Sequence, residues 1–112
     1  MLNNVSIMGR LVRDPELRYT GDNSDIPVLG FSIAVDRSYG EDETDFIDCV
    51  AWRKNAESIS KHFEKGRPII VTGSLQARRW TDKDGNRRRN VEVVVDQWYF
   101  ADSKRDDSSS EK

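Results

Sequence analysis

Cysteine and histidine are nearly absent from these 112 residues: Cys49 and His62 are the only ones. One thiol cannot close an intrachain disulfide, and one Cys with one His cannot assemble a zinc site or a two-histidine metal motif within the chain. Neither metal nor cofactor is expected. The glycines do not fall into phosphate-binding patterns either. No glycine-rich loop leads into Gly-Lys-Ser/Thr, no dinucleotide-type glycine triplet follows a strand, and Gly73-Ser74 lacks the second glycine of a nucleophile elbow. An enzyme is not expected, and His62, with no partner visible in the sequence, reads as a helix-surface residue and not a catalyst.

Long apolar runs are missing as well. The longest, Ile26 to Val35, is interrupted by Pro27, Gly30 and Ser32 and falls far short of the roughly 18 residues of a membrane helix. Arg10 and Arg13 stand where a secretory signal would place its apolar segment, and no small-residue cleavage site follows. A soluble, cytoplasmic protein without membrane association is expected.

Charge and alternation are what the chain has in quantity. It carries 18 Lys+Arg against 20 Asp+Glu, a formal charge of −2. A chain of this length buries roughly two thirds of its unfolded surface, enough for one core without staples. Val5, Ile7, Gly9 and Leu11 alternate with Ser6, Met8 and Arg10, which predicts a half-buried first strand. From Val28 to Tyr39, a second strand places Leu29, Phe31, Ile33 and Val35 on one face and Gly30, Ser32, Ala34 and Asp36 on the other, with Gly21 to Asp25 a loop before it.

The third strand, Asp45 to Arg53, has unlike faces: Ile47, Cys49 and Ala51 look inward, while Phe46, Asp48, Val50 and Trp52 form a mixed aromatic and polar face. Asn55 is placed to cap a helix carrying Ala56, Ile59 and Phe63, which Gly66 and Pro68 would end. A fourth strand is predicted from Ile69 to Trp80, and Asp84-Gly85 supplies the turn into a fifth, Asn90 to Phe100. The sequence therefore predicts an all-β domain over residues 1–100. Five strands with one short helix between the third and fourth fit an OB-fold Greek-key barrel better than a sandwich, which wants about seven strands. Residues 101–112 are polar and aperiodic, and a disordered tail is expected there.

The overall acidity hides a division. Residues 20–48 hold Asp22, Asp25, Asp36, Glu41, Asp42, Glu43, Asp45 and Asp48 against Arg37, whereas residues 49–80 hold Arg53, Lys54, Lys61, Lys65, Arg67, Arg78 and Arg79 against Glu57 and Glu64. The hairpin adds Lys83, Arg87, Arg88 and Arg89 against Asp82 and Asp84, with Trp80 among them. Cations interleaved with rings are what a single-strand groove requires, because cations track phosphates while rings stack on unpaired bases. Trp80 taken alone also reads as a ring folded onto the core. Phe46 and Trp52 would singly read the same way, but their parity opposite Ile47, Cys49 and Ala51 puts them outside. Tyr39 reads equally as a strand-end cover or as a stacking platform.

These residues resemble the bacterial single-stranded-DNA-binding protein family over about residues 1–100. The resemblance is carried by Asn4-Val5 through Gly9-Arg10-Leu11, Asp14-Pro15-Glu16-Leu17-Arg18-Tyr19-Thr20, Arg37-Ser38-Tyr39, Trp52 with Ala56-Glu57, Lys65-Gly66, Gly73-Ser74-Leu75, Arg79-Trp80-Thr81-Asp82 with Asp84-Gly85, and Glu92-Val93-Val94-Val95. It implies an OB fold, a homotetramer, and a role in coating single-stranded DNA during replication, recombination and repair. Bases would stack on Tyr39, Phe46, Trp52 and Trp80, with Arg10, Arg37, Arg53, Lys54, Arg67, Arg78 and Arg79 along the phosphate path.

The sequence departs from the family in ending at Asp106-Asp107-Ser108-Ser109-Ser110-Glu111-Lys112 without an acidic tip closed by apolar residues. Recruitment of replication and repair enzymes is therefore not expected. The competing readings are an OB module for structured RNA or a protein partner, and a nucleic-acid hydrolase. The latter would need metal-binding carboxylates, and the acids of residues 41–48 show no ligand spacing.

Overall fold

The two alternating segments read from the sequence form adjacent walls of one core. The computed structural model describes residues 1–39 and 42–102. In it β3 (Ile26–Asp36) pairs antiparallel with β4 (Thr44–Trp52), setting Leu29 opposite Ala51, Phe31 opposite Cys49 and Ile33 opposite Ile47. Both strands therefore turn their odd-numbered residues inward together. β1 (Val5–Leu11) pairs along β5 (Pro68–Thr81) and, through Arg10 and Leu11, also with β3. β6 (Arg87–Phe100) runs antiparallel to β5 and meets β4 in parallel at Cys49–Val93 and Val50–Val94.

The circuit β1-β3-β4-β6-β5 is closed by β1, which is the OB topology. Closure removes the open edges that a five-stranded sheet would otherwise present. Helix α1 (Lys54–His62) packs against β3, β4 and β6. Ala56 and Ile59 on the helix, with Phe63 just after it, are buried among Leu29, Ile33, Ile69, Val71 and Val93. Burial of each large aliphatic or aromatic side chain in that set stabilises the fold by about 1.5–3 kcal/mol. Among the described residues no helix is long and apolar enough to cross a membrane.

Four details differ from the sequence-based expectation. A sixth strand, β2 (Arg18–Thr20), lies against the start of β3 through Val28, Pro27 and Ile26. Its three residues are all exposed, so no alternation announced it. Asn55 does not cap the helix. Arg53 is the cap residue, at φ 58 with no side-chain capping bond. Asn55 Nδ2 instead donates to the Asp96 carbonyl at 3.1 Å and ties α1 to β6.

Third, the hairpin strands run further toward the turn, to Thr81 and from Arg87. The arginines there lack apolar alternation and are held by register alone, Thr81 opposite Arg87 and Trp80 opposite Arg88. Asp82 organises the turn by accepting from the Asp84 and Asn86 amides at 3.0 and 2.9 Å, and Gly85 takes φ +82. Last, β3 begins at Ile26 and ends at Asp36, three residues before Tyr39. At the chain's other end Ala101 and Asp102 are half-buried, and residues 103–112 of the expected tail lie outside the described residues.

Cys49 belongs to this core. Burial first, and then the negative charges of Asp48 and Glu92, push its thiol up to about 12. At neutral pH it carries no thiolate and is chemically inert. A thiol reagent such as DTNB should therefore modify Cys49 at neutral pH only as fast as the protein unfolds. Fast modification of the native protein, followed by absorbance, would contradict this burial.

Closure also brings backbones unusually near one another. A Cβ on Gly9 would lie 2.6 Å from the Ala34 carbonyl oxygen, and one on Gly73, at the bulge between Thr72 and Gly73, would collide with the Val94 carbonyl. Gly30, in the neighbouring strand, has open space around it. Gly73→Ala should lower unfolding stability by about 2 kcal/mol or more, since the clash is with backbone that cannot rotate away. Gly30→Ala should stay within about 0.5 kcal/mol of the parent. Urea denaturation of both variants tests the contrast.

Candidate nucleic-acid interface

Because β3 and β4 turn their odd positions inward, their even positions must face out. Phe46 sits opposite Ala34, Asp48 opposite Ser32, Val50 opposite Gly30 and Trp52 opposite Val28. The small side chains of β3 leave the rings of β4 uncovered: Phe46 is 67% and Trp52 44% exposed. A groove of about 510 Å³ lies over this face, floored by Gly30, Ser32 and Asp48, with Arg78, Asn90 and Glu92 on one side and the 13–18 segment on the other. Arg10 is paired with Ala34, whose other neighbour is Phe46, so Arg10 and Phe46 share one cross-strand row.

The β5–β6 hairpin continues the groove as an arm whose residues beyond Leu75 are mostly exposed. On one face of the arm Arg78 is opposite Asn90 and Trp80 opposite Arg88. The Arg78 guanidinium lies 5.2 Å from the Trp80 ring centroid, and Trp80 is 43% exposed. Arg88 donates to Asp82 Oδ2 at 2.8 Å. That bond, with the Asn86 amide, holds the Asp82 carboxyl below the usual carboxylate range. The other face sets Arg79 directly opposite Arg89, a like-charge pair that destabilises an arm unless an anion lies between them. A depression of about 600 Å³ runs beside these arginines and Trp80.

Other candidates are placed differently. Tyr39 lies beyond the end of β3 and is 88% exposed. Arg37 donates from Nε and Nη2 to the two oxygens of Asp45, both at 2.9 Å. This bidentate pair raises the guanidinium further above its ordinary value and holds Asp45 below its own. Arg53 and Lys54 are exposed directly after Trp52. Arg67 is not brought to the groove. Its Nη1 donates to the His62 carbonyl at 2.9 Å, its Nε to Asp102 at 3.3 Å, and its guanidinium lies 4.7 Å from the Phe100 centroid, in a cluster with Phe63 and Trp98.

Of the residues lining the groove only Arg78 was a predicted contact, and Ser32, Asn90 and Glu92 are among those that escaped the sequence reading. Ser32 was within its reach, since it lies on the face opposite Leu29, Phe31 and Ile33. Asn90 and Glu92 reach the groove only through the parallel pairing of β4 with β6, which no local pattern announces. Among the described residues no group of three or more His, Cys, Asp or Glu stands together to hold a metal ion.

The model of the Single-strand binding protein family matches residues 2–101. The chain is 48% identical to the "Single-stranded DNA-binding protein" of Caldanaerobacter subterraneus subsp. tengcongensis, over 93% of this chain and 71% of that one. It is 42% identical to "Single-stranded DNA-binding protein 1" of Lactococcus lactis subsp. lactis, over 92% and 70%. A relative in Streptococcus pyogenes with the same printed name is 40% identical, over 98% of this chain and 85% of the relative.

Proposed function

The chain belongs to the single-strand binding protein family, and from that premise we propose that it coats single-stranded DNA without enzymatic action during replication, recombination and repair. The observation that supports this best is the set of uncovered rings, Phe46 and Trp52 on the strand face that also carries the groove-floor residue Asp48 and Trp80 on the arm, with Arg10 in the cross-strand row of Phe46 and Arg78, which lines the groove, 5.2 Å from the Trp80 ring. Unpaired bases stack on the rings while the cations follow the phosphates. Every base has a ring face, so the binding is sequence-tolerant, whereas a duplex hides those faces.

The roles divide by position. Phe46, Trp52 and Trp80 are the stacking platforms, with Tyr39 joining at the strand end. Arg10, Arg53, Lys54, Arg78 and Arg79 supply the phosphate contacts. Arg37 joins them by exchanging one carboxylate oxygen of Asp45 for a phosphate oxygen. Arg67 serves from beneath, holding the aromatic cluster at the end of β6.

We also propose a homotetramer in the cytoplasm. Met8, Ile70 and Tyr99 form one register row across the outer face of β1, β5 and β6, with Met8 59% and Tyr99 48% exposed. A second copy would cover that row. Sedimentation at micromolar concentration should give about four times the 12.9 kDa of one chain. A monomer would contradict the assembly.

Tryptophan fluorescence tests the binding mode. Oligo-dT should quench the emission and bind far more tightly than an equal-length duplex, with affinity falling as salt rises because bound phosphates release counterions. Trp52→Ala and Trp80→Ala should each weaken binding by more than about 1 kcal/mol with little change in melting temperature. Equal affinity for duplex and single strand would refute the groove mechanism.

A further inference from the structure

Asp48 is the one acid on the outward face of β4, between Phe46 and Trp52, and phosphate tracking gives it no use. A carboxylate in the path of phosphates repels them. Among the described residues no Lys or Arg pairs with it. Arg78, which lines the same groove, lies over Trp80 instead. The carboxylate is held by neutral donors from the strands on either side: Ser32 Oγ donates to Oδ1 at 2.7 Å and Asn90 Nδ2 to Oδ2 at 2.6 Å.

Each carboxylate oxygen has two acceptor directions. One bond apiece therefore leaves each oxygen with an unused direction on an exposed residue in the groove floor. The group is fixed in orientation from both sides and open to a further donor. Alternate residues of a strand stand roughly 7 Å apart on one face. A base stacked on Phe46 thus brings its edge to Asp48, with half-buried Val50 as the apolar floor beyond.

The geometry points to Asp48 as a base-reading position that accepts a hydrogen bond from the amino group of an unpaired base and disfavours thymine. Cytosine presents its N4 amino group as a donor where thymine presents the O4 acceptor. The two pyrimidines stack with similar area, so this edge is what separates them. Glu92, a second carboxylate lining the groove, acts in the same sense. The result is a preference at one nucleotide position, superimposed on sequence-tolerant stacking. The inference rests on the single-stranded-DNA reading of the groove.

The test titrates the full chain and Asp48→Asn with oligo-dC and oligo-dT of one length across a salt series. The intrinsic stacking of each oligonucleotide cancels when the ratio of the two affinities is compared between proteins. Asp48→Asn, which keeps the shape and removes the obligate acceptor, should move that ratio toward oligo-dT by fivefold or more. Asn90→Ala, which loosens the carboxylate without altering charge, should move it the same way by a smaller factor at an unchanged salt slope. If Asp48→Asn tightens both oligonucleotides equally, or changes neither, Asp48 reads no base and the proposal is overturned. If the parent protein binds neither oligonucleotide, the groove reading itself fails and takes this inference with it.

Discussion

The pairing of β1 with both β3 and β5 is the constraint on which the rest of the molecule depends. It closes the sheet, and a closed sheet has only one inside. Once Leu11, Ile33 and Val71 are committed to that interior, the parity of every paired residue in the circuit is settled. The contact is tight enough to demand glycine, since Gly9 sits against the Ala34 carbonyl and Gly73 against that of Val94. Helix α1 then covers the remaining opening with Ala56, Ile59 and Phe63.

Closure also accounts for the site. The rings on β4 are outside because their neighbours Ile47, Cys49 and Ala51 are inside, and they stay uncovered because β3 presents Gly30, Ser32 and Ala34 beside them. Burying Phe46 or Trp52 would require a one-residue slip of β4, which would expose Cys49 and Ala51 together. Exposure of the rings is therefore a by-product of the core's stability, and no separate device holds them out. The arm differs, because it has no core. It is held by the ladder between β5 and β6 and by Asp82 at its tip, and it carries Arg79 and Arg89 side by side, an arrangement better suited to a bound polyanion than to water.

Charge in this protein is organised locally and not by its sum. A chain with a formal charge of −2 presents a basic arm because Arg78, Arg79, Lys83, Arg87, Arg88 and Arg89 outnumber Asp82 and Asp84 there, while Asp45 pairs with Arg37 and Asp102 with Arg67 away from the arm. Asp48, by contrast, is held by Ser32 and Asn90 without a cation. Arg67 shows the reverse. In sequence it belongs to the basic run of residues 49–80. In the fold its guanidinium lies over Phe63 and Phe100, a structural position where its flat face matters as much as its charge.

Much was legible in the sequence because it depends on period and on chain order. Alternation identified three barrel strands, predicted over residues 5–11, 28–39 and 45–53, and the inward residues of each. Opposite parity was enough to put Phe46 and Trp52 outside, and the motifs from Asn4-Val5 to Val95 were enough to point to the family. What escaped was set by pairing between distant segments. β2 exists only because Arg18–Thr20 finds the edge of β3, and Asn55 left its capping role for the Asp96 carbonyl. Arg87–Arg89 became strand because Arg79–Thr81 lay opposite, and Asn90 and Glu92 joined the groove because β6 runs beside β4. The sequence by itself determined which face of each strand is apolar, since that is a property of alternating side chains along one segment. Only the tertiary structure decided which faces adjoin and which charges pair, because hydrogen-bond partners and ion pairs are chosen by distance in space, and the residues concerned lie up to 72 positions apart along the chain.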